Sequence, residues 1–141
     1  MIDIANVILR IVKEAVQTQY PNCNVLSYNP DVISEFPCVT VVEKDNSVYE
    51  RSQDNISSEN HATVTFEIQA YSNNSSGKKE EAKKLLALAD EAMLSSNFTR
   101  TLKSELPNAD RSVYRLYASY RAIVAKGVDV NGDTVHQIYR R

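Results

Sequence analysis

Two periodicities in one chain predict an α+β fold: a mainly antiparallel, mixed sheet packed against two helices, with a C-terminal hairpin. Apolar residues recur every three or four positions at 3–18 and again at 77–95, the helical period. They alternate singly at 62–71 and 112–125, the period of a strand with one covered face. The elements follow the order helix, strands, helix, strands, which suits one helical layer on one sheet. With 141 residues, 43% of them hydrophobic and 24% charged, one core suffices, so residues 1–141 are read as a single domain.

The first helix sets Ile4, Val7, Ile8, Ile11, Val12, Ala15 and Val16 against Arg10, Lys13, Glu14 and Gln17, with Asp3 as its N-cap. Tyr20-Pro21-Asn22 ends it, because proline cannot continue the hydrogen-bond ladder. A short strand follows at about 24–28, then the turn residues Asn29-Pro30-Asp31. After Phe36-Pro37, the β-branched run Cys38-Val39-Thr40-Val41-Val42-Glu43 reads as a half-buried strand. Between Lys44 and Asn60 only Val48, Tyr49 and Ile56 are sizeable apolar residues, too few to offset the entropy of ordering a core. This stretch is read as a long mobile polar loop, or a protruding hairpin with 48–53 in its arms.

From Ala62 the chain places Ala62, Val64, Phe66, Ile68 and Ala70 on one face and Thr63, Thr65, Glu67, Gln69 and Tyr71 on the other. Asn73-Asn74-Ser75-Ser76-Gly77 breaks the strand, and Leu85, Leu88, Ala89, Ala92 and Met93 give the second helix its apolar stripe. Lysines 78, 79, 83 and 84 oppose the dipole at its start, so packing must hold it, although Glu80 and Lys84 have the spacing of an i, i+4 pair. Residues 98–103 alternate weakly, and Pro107-Asn108-Ala109-Asp110 breaks them. The next strand sets Tyr114, Leu116, Ala118, Tyr120, Ala122 and Val124 against Val113, Arg115, Tyr117, Ser119, Arg121 and Ile123, so both faces carry sizeable groups. Asn131-Gly132 between alternating runs signals a hairpin at 126–139 with a two-residue turn.

Charge excludes a strong global field, since 16 Lys and Arg stand against 18 Asp and Glu. The distribution is uneven: residues 1–97 carry 8 basic and 14 acidic side chains, whereas 98–141 carry 8 basic and 4 acidic, leaving the last third locally basic. Cys23 and Cys38 lie outside any secretory pattern and are expected to be reduced, in a soluble, cytosolic setting. No apolar run reaches membrane-spanning length, so no membrane partner is expected.

Motifs for chemistry are sparse. His61, His136, Cys23 and Cys38 have no metal-ligand spacing, Ser-Gly-Lys-Lys at 76–79 lacks the first glycine of a phosphate loop, and Gly-x-Ser-x-Gly does not occur. Glu80 with Glu81, and Asp90 with Glu91, point about 100° apart on a helix and cannot share a proton. Asp129, Asn131 and Asp133 lack the terminal Glu of a calcium loop. No catalytic, cofactor-binding or metal residue is therefore nominated, and no enzyme is expected. Arg111, Arg115 and Arg121 interleave with Tyr114, Tyr117 and Tyr120, as in strands that stack on nucleic acid, but tyrosine and arginine equally anchor protein interfaces. The protein contact is preferred, through Arg111, Arg115, Tyr117 and Arg121.

With these residues placed, the chain resembles the tail terminator or tail completion family of long-tailed bacteriophages. The likeness covers about residues 1–125. It runs through the opening helix, the Phe36-Pro37-Cys38-Val39-Thr40-Val41 strand, the polar loop, the 62–71 strand ending Gln69-Ala70-Tyr71-Ser72, the Gly77-Lys78-Lys79 helix and the Val113-Tyr114-Arg115-Leu116-Tyr117 strand. The resemblance implies a small structural subunit of the virion, assembled in the bacterial cytoplasm and placed at the tail-neck junction. Copies form a ring, commonly a hexamer, that caps the tail tube protein and docks the head-tail connector, with DNA only passing through the lumen. The polar loop is expected to contact the tube or a neighbouring subunit through Val48, Tyr49 and Arg51. A head-completion or neck adaptor protein and a small nucleic-acid-binding module are the alternatives.

Overall fold

The computed structural model of the chain describes residues 2–48, 61–128 and 134–139. Two helices, α1 (Ala5–Gln17) and α2 (Lys78–Ser95), lie on a sheet built from β1 (Asn24–Leu26), β2 (Cys38–Val48), β3 (His61–Ser72), β4 (Thr99–Leu106), β5 (Tyr114–Val128) and β6 (Thr134–Tyr139). The strand order is β1-β2-β3-β5-β4, with β6 also pairing β5. Only β1 and β2 run parallel. Along 123–125, β5 has β3 on one edge and β6 on the other, so β6 lies end to end with β4 on the same side. The expected α+β class, with its mixed sheet, two helices and terminal hairpin, is the fold observed.

Alternation decides which face is buried. Val39 and Val41 of β2, the even residues 62–70 of β3 and the even residues 116–124 of β5 form one core with Ile8, Val12 and Val16 of α1 and Ala82, Leu85, Ala89 and Met93 of α2. The two helices pack on each other, α1 toward β2 and α2 over β3 and β5. Phe66 and Phe98 meet edge to face at the centre, with ring centroids 5.7 Å apart and planes at 82°.

Helix ends follow local chemistry. Asp3 Oδ1 accepts the Ala5 N–H at 3.0 Å, capping α1 from one position ahead of its N-cap residue, Ile4. At the far end of α2, the Phe98 N–H donates to Met93 O at 3.0 Å and the Asn97 N–H to Leu94 O at 3.1 Å, with Asn97 at φ 69°. That is a Schellman cap with asparagine in the left-handed position, and Phe98 closes it by burying against the core beside Met93. The start of α2 is tied to β3 instead: Glu81 accepts from the Ser72 hydroxyl at 2.8 Å and from Asn74 Nδ2 at 3.2 Å. Lys78 Nζ reaches across to Arg111 O at 2.7 Å. No ion pair joins Glu80 to Lys84; among the described residues the pairs are Lys44–Glu67 and Arg100–Asp90.

Three sequence expectations change. Residues 44–48 are strand rather than loop, because Asp45, Asn46, Ser47 and Val48 pair with Thr65, Val64, Thr63 and Ala62. Ladder hydrogen bonds, which composition does not report, hold this polar stretch, and Asn46 Nδ2 adds a bond to Ile2 O at 2.7 Å. Residues 49–60, the rest of the expected loop, lie outside the described residues. The weak alternation at 98–103 is a full edge strand to Leu106, with a bulge between Arg100 and Leu102 that interrupts its period. In the hairpin Val128 sits opposite Thr134, whereas a two-residue Asn131-Gly132 turn would oppose Val128 to Val135; the connecting residues are outside the described set.

Because Phe98 is both cap closure and core, Phe98→Ala is expected to cost about 3–5 kcal/mol in urea unfolding. Val32→Ala, at a residue 79% exposed, should stay within about 0.5 kcal/mol.

Candidate functional site

The side of the sheet away from the helices carries the second set of side chains. On β3 these are Thr63, Thr65, Glu67, Gln69 and Tyr71; on β5 they are Arg115, Tyr117, Ser119, Arg121 and Ile123. Cross-strand register sets Tyr71 opposite Arg115, Gln69 opposite Tyr117, Glu67 opposite Ser119 and Thr65 opposite Arg121. Each such pair lies close enough for side chains to interact.

These residues interlock. Arg115 Nε donates to Gln69 Oε1 at 2.6 Å, and the Tyr71 hydroxyl donates to the same oxygen at 2.9 Å. The Arg115 guanidinium lies 5.5 Å from the centre of the Tyr71 ring, a cation–π contact. Burial pushes the Tyr71 phenol up from its ordinary value, and the positive charge of Arg115 pulls partly the other way. Tyr117 is raised by burial first and then by its hydrogen bond to the Glu67 carboxylate. Lys44 Nζ sits 3.6 Å from Glu67 Oε1, and Arg121 Nε donates to Thr65 Oγ1 at 3.4 Å. With Asp45, which pairs with Thr65, the strands place three cations and two carboxylates on this face, and both arginines are engaged by neutral oxygens.

One end of this face is roofed. Phe36, Ile33 and Leu26 pack with Cys38, Tyr71 and Val113 into a small second core. A cavity of about 340 Å³ opens there between the 29–36 and 108–113 segments, with Tyr71 and Arg115 among its walls. Asp110 accepts the Ser112 N–H at 2.9 Å and hydroxyl at 2.6 Å, and these bonds hold its carboxyl below the usual carboxylate range.

The sequence candidates separate on the structure. Arg115, Tyr117 and Arg121 share this face, as expected. Arg111 does not: it precedes β5 in an exposed turn, and its backbone carbonyl is held by Lys78. The proline break at 107 ends β4 early enough that the alternation of β5 has not begun at 111, so parity does not place it. Val48 ends β2 opposite Ala62, a helix-side position, and is 40% exposed. Tyr49 and Arg51 lie outside the described residues. Sequence reasoning did not nominate Lys44, Glu67, Gln69 and Tyr71, although the alternation of 62–71 already put the last three on the outer face.

On the helix side, Tyr120 is buried and its hydroxyl donates to Asp90 Oδ1 at 2.7 Å, with Arg100 Nη1 2.7 Å from the same oxygen. Burial, then the Asp90 carboxylate, drives the Tyr120 phenol far up. Cys23 and Cys38 are free and buried. Burial pushes Cys23 up to about 12, with the neighbouring Cys38 and Glu81 adding to it, and Cys38 up to about 11. Among the described residues no three His, Cys, Asp or Glu side chains converge as a metal site, and no helix is long and apolar enough to cross a membrane.

No protein-family model matches the chain, and no curated protein matches its sequence.

Two outcomes follow from these environments. A thiol raised in the folded state stabilises fully below its unfolded value, and that contribution is lost as pH rises through the folded one. Native Cys23 and Cys38 should therefore resist a thiol reagent at about pH 8 yet react once unfolded. The urea midpoint should fall between the ordinary thiol value of 9.0 and about 11 to 12. In contrast, Lys44 is 67% exposed in its ion pair, so Lys44→Ala should change unfolding stability by no more than about 1 kcal/mol.

Proposed function

We propose that this chain is a structural subunit whose copies form a ring, commonly a hexamer, on the end of a bacteriophage tail tube. The ring stops further addition of tube protein and offers its other face to the head-tail connector at the tail-neck junction of the virion. The mechanism is steric occupation, and no bond is made or broken.

The observation that carries this reading is the interlocked outer sheet face. Arg115, Gln69 and Tyr71 are mutually held, as are Tyr117, Glu67 and Lys44, so the side chains are ordered before any partner arrives and lose little freedom on docking. Tyrosine and arginine at the centre of such a surface are the residues that anchor protein contacts. The same arrangement suits a ring crossed by DNA, because the guanidinium groups already bond Gln69 and Thr65 and Glu67 lies among them. A row of free cations would grip phosphates and retard passage. The order of helices and strands, matched to the resemblance along residues 1–125, supplies the second support.

Electron microscopy of particles assembled without this protein tests the reading. Overlong tails, or finished tails and heads left unjoined, are expected. Heads that lack tails and leak DNA would overturn it in favour of a neck adaptor, and tails of normal length on infectious particles would overturn it altogether.

A further inference from the structure

The two free edges of the sheet match each other. Beyond Thr40, where its pairing with β1 ends, the outer edge of β2 carries no strand among the described residues, nor does the outer edge of β4. Following the register across the sheet, Glu43 lies opposite Phe66, Phe66 opposite Tyr120, and Tyr120 opposite Arg100. The next rows run Val42, Glu67, Ser119, Leu102 and then Val41, Ile68, Ala118, Lys103. On the helix-side face one end of these rows is acidic at Glu43 and the other is basic at Arg100 and Lys103; just beyond Glu43, Lys44 is engaged by Glu67 and Asp45, opposite Thr65, lies on the outer face. Val42 and Leu102 share a row and the outer face, and Leu102 is 52% exposed. Glu43, Asp45 and Lys103 make no ion pair with any described residue.

We propose that the outer edge of β2 in one copy docks against the outer edge of β4 in the next, with Glu43 beside Arg100 and Lys103 and Val42 beside Leu102. The occupant is a second copy because the complementary charges stand at the same height on opposite edges. No shift along the strands is then needed to bring them together, as a ring closed without rise requires. Strand direction agrees: β2, β3, β5 and β4 alternate, so β2 and β4 are antiparallel and the junction continues the antiparallel order. The proposal deepens the ring reading and rests on it for closure, while the edge contact itself stands on the register.

Two measurements test it on the full-length protein. In sedimentation, Lys103→Glu and Glu43→Lys should each weaken self-association at least tenfold, and the double variant should recover it. In oxidative cross-linking, a mixture of Val42→Cys and Leu102→Cys proteins should give disulfide-linked dimers only, and a chain with both changes should give a ladder ending in a closed ring. Protein that stays monomeric, or that assembles indifferently to both charge reversals and without the 42–102 link, overturns the edge contact; assembly of the second kind leaves the ring reading standing. A 42–102 ladder combined with normal tails on particles lacking the protein overturns the tail-end role and leaves the edge contact in place.

Discussion

Everything in this molecule depends on the alternation of β3 and β5 being held in one register. Their twelve paired positions put every even-numbered side chain from 62 to 70 and from 116 to 124 under the helices. A slip of one residue would turn one strand over, exposing Phe66 and burying Glu67 if β3 moved, or exposing Tyr120 and burying Arg121 if β5 did, so the core enforces the register. The outer face inherits its order from that constraint. Arg115, Tyr117 and Arg121 stand in a row because Leu116, Ala118 and Tyr120 cannot be anywhere but inside.

The same logic separates groups that stabilise from groups available for contact. Asp90, Tyr120 and Arg100 form a cluster whose buried member, Tyr120, sits on the core side, so its hydrogen bond to Asp90 satisfies a hydroxyl that water cannot reach. Lys44 and Glu67 form an ion pair with one end in solvent, where attraction and side-chain entropy nearly cancel. Such a pair adds little to folding and leaves the Lys44 ammonium at the surface, available for contact. The cysteines belong to the first group, since burial holds them as neutral thiols with the behaviour of small hydrophobes.

Sequence periodicity disclosed the core well, because burial is what periodicity measures. Both helices, β3 and β5 lie within a few residues of where their apolar patterns put them, and the outer face of β3 follows from the same alternation. What it missed is held by the backbone. Residues 44–48 look like loop because Asp45, Asn46 and Ser47 have no apolar side chains to reveal a strand, yet their amides pair with β3. In β4 the bulge after Arg100 breaks the period at the point where a reader would count it. Residue type groups Arg111 with Arg115 and Arg121, and spacing alone does not show that β5 starts only at Tyr114.

Edges explain why polar, bulged strands lie where they do. An unpaired edge invites any strand, and proteins blunt such edges with lysine, short pairing and bulges. β2 bulges between Glu43 and Asp45 and β4 between Arg100 and Leu102, flanking the same row of the sheet on its two sides. Were protection the only purpose, lysine on both edges would serve, since like charges would repel every copy. Instead, on the helix-side face β2 presents Glu43 and β4 presents Arg100 and Lys103, while Lys44 of β2 is taken up by Glu67 on the outer face. Bulges shorten the backbone run that a stray strand could use, and opposite charges restore attraction for a partner carrying the matching row. Selectivity of that kind needs both a penalty for the general case and a reward for the particular one, and the two edges of this sheet hold one of each.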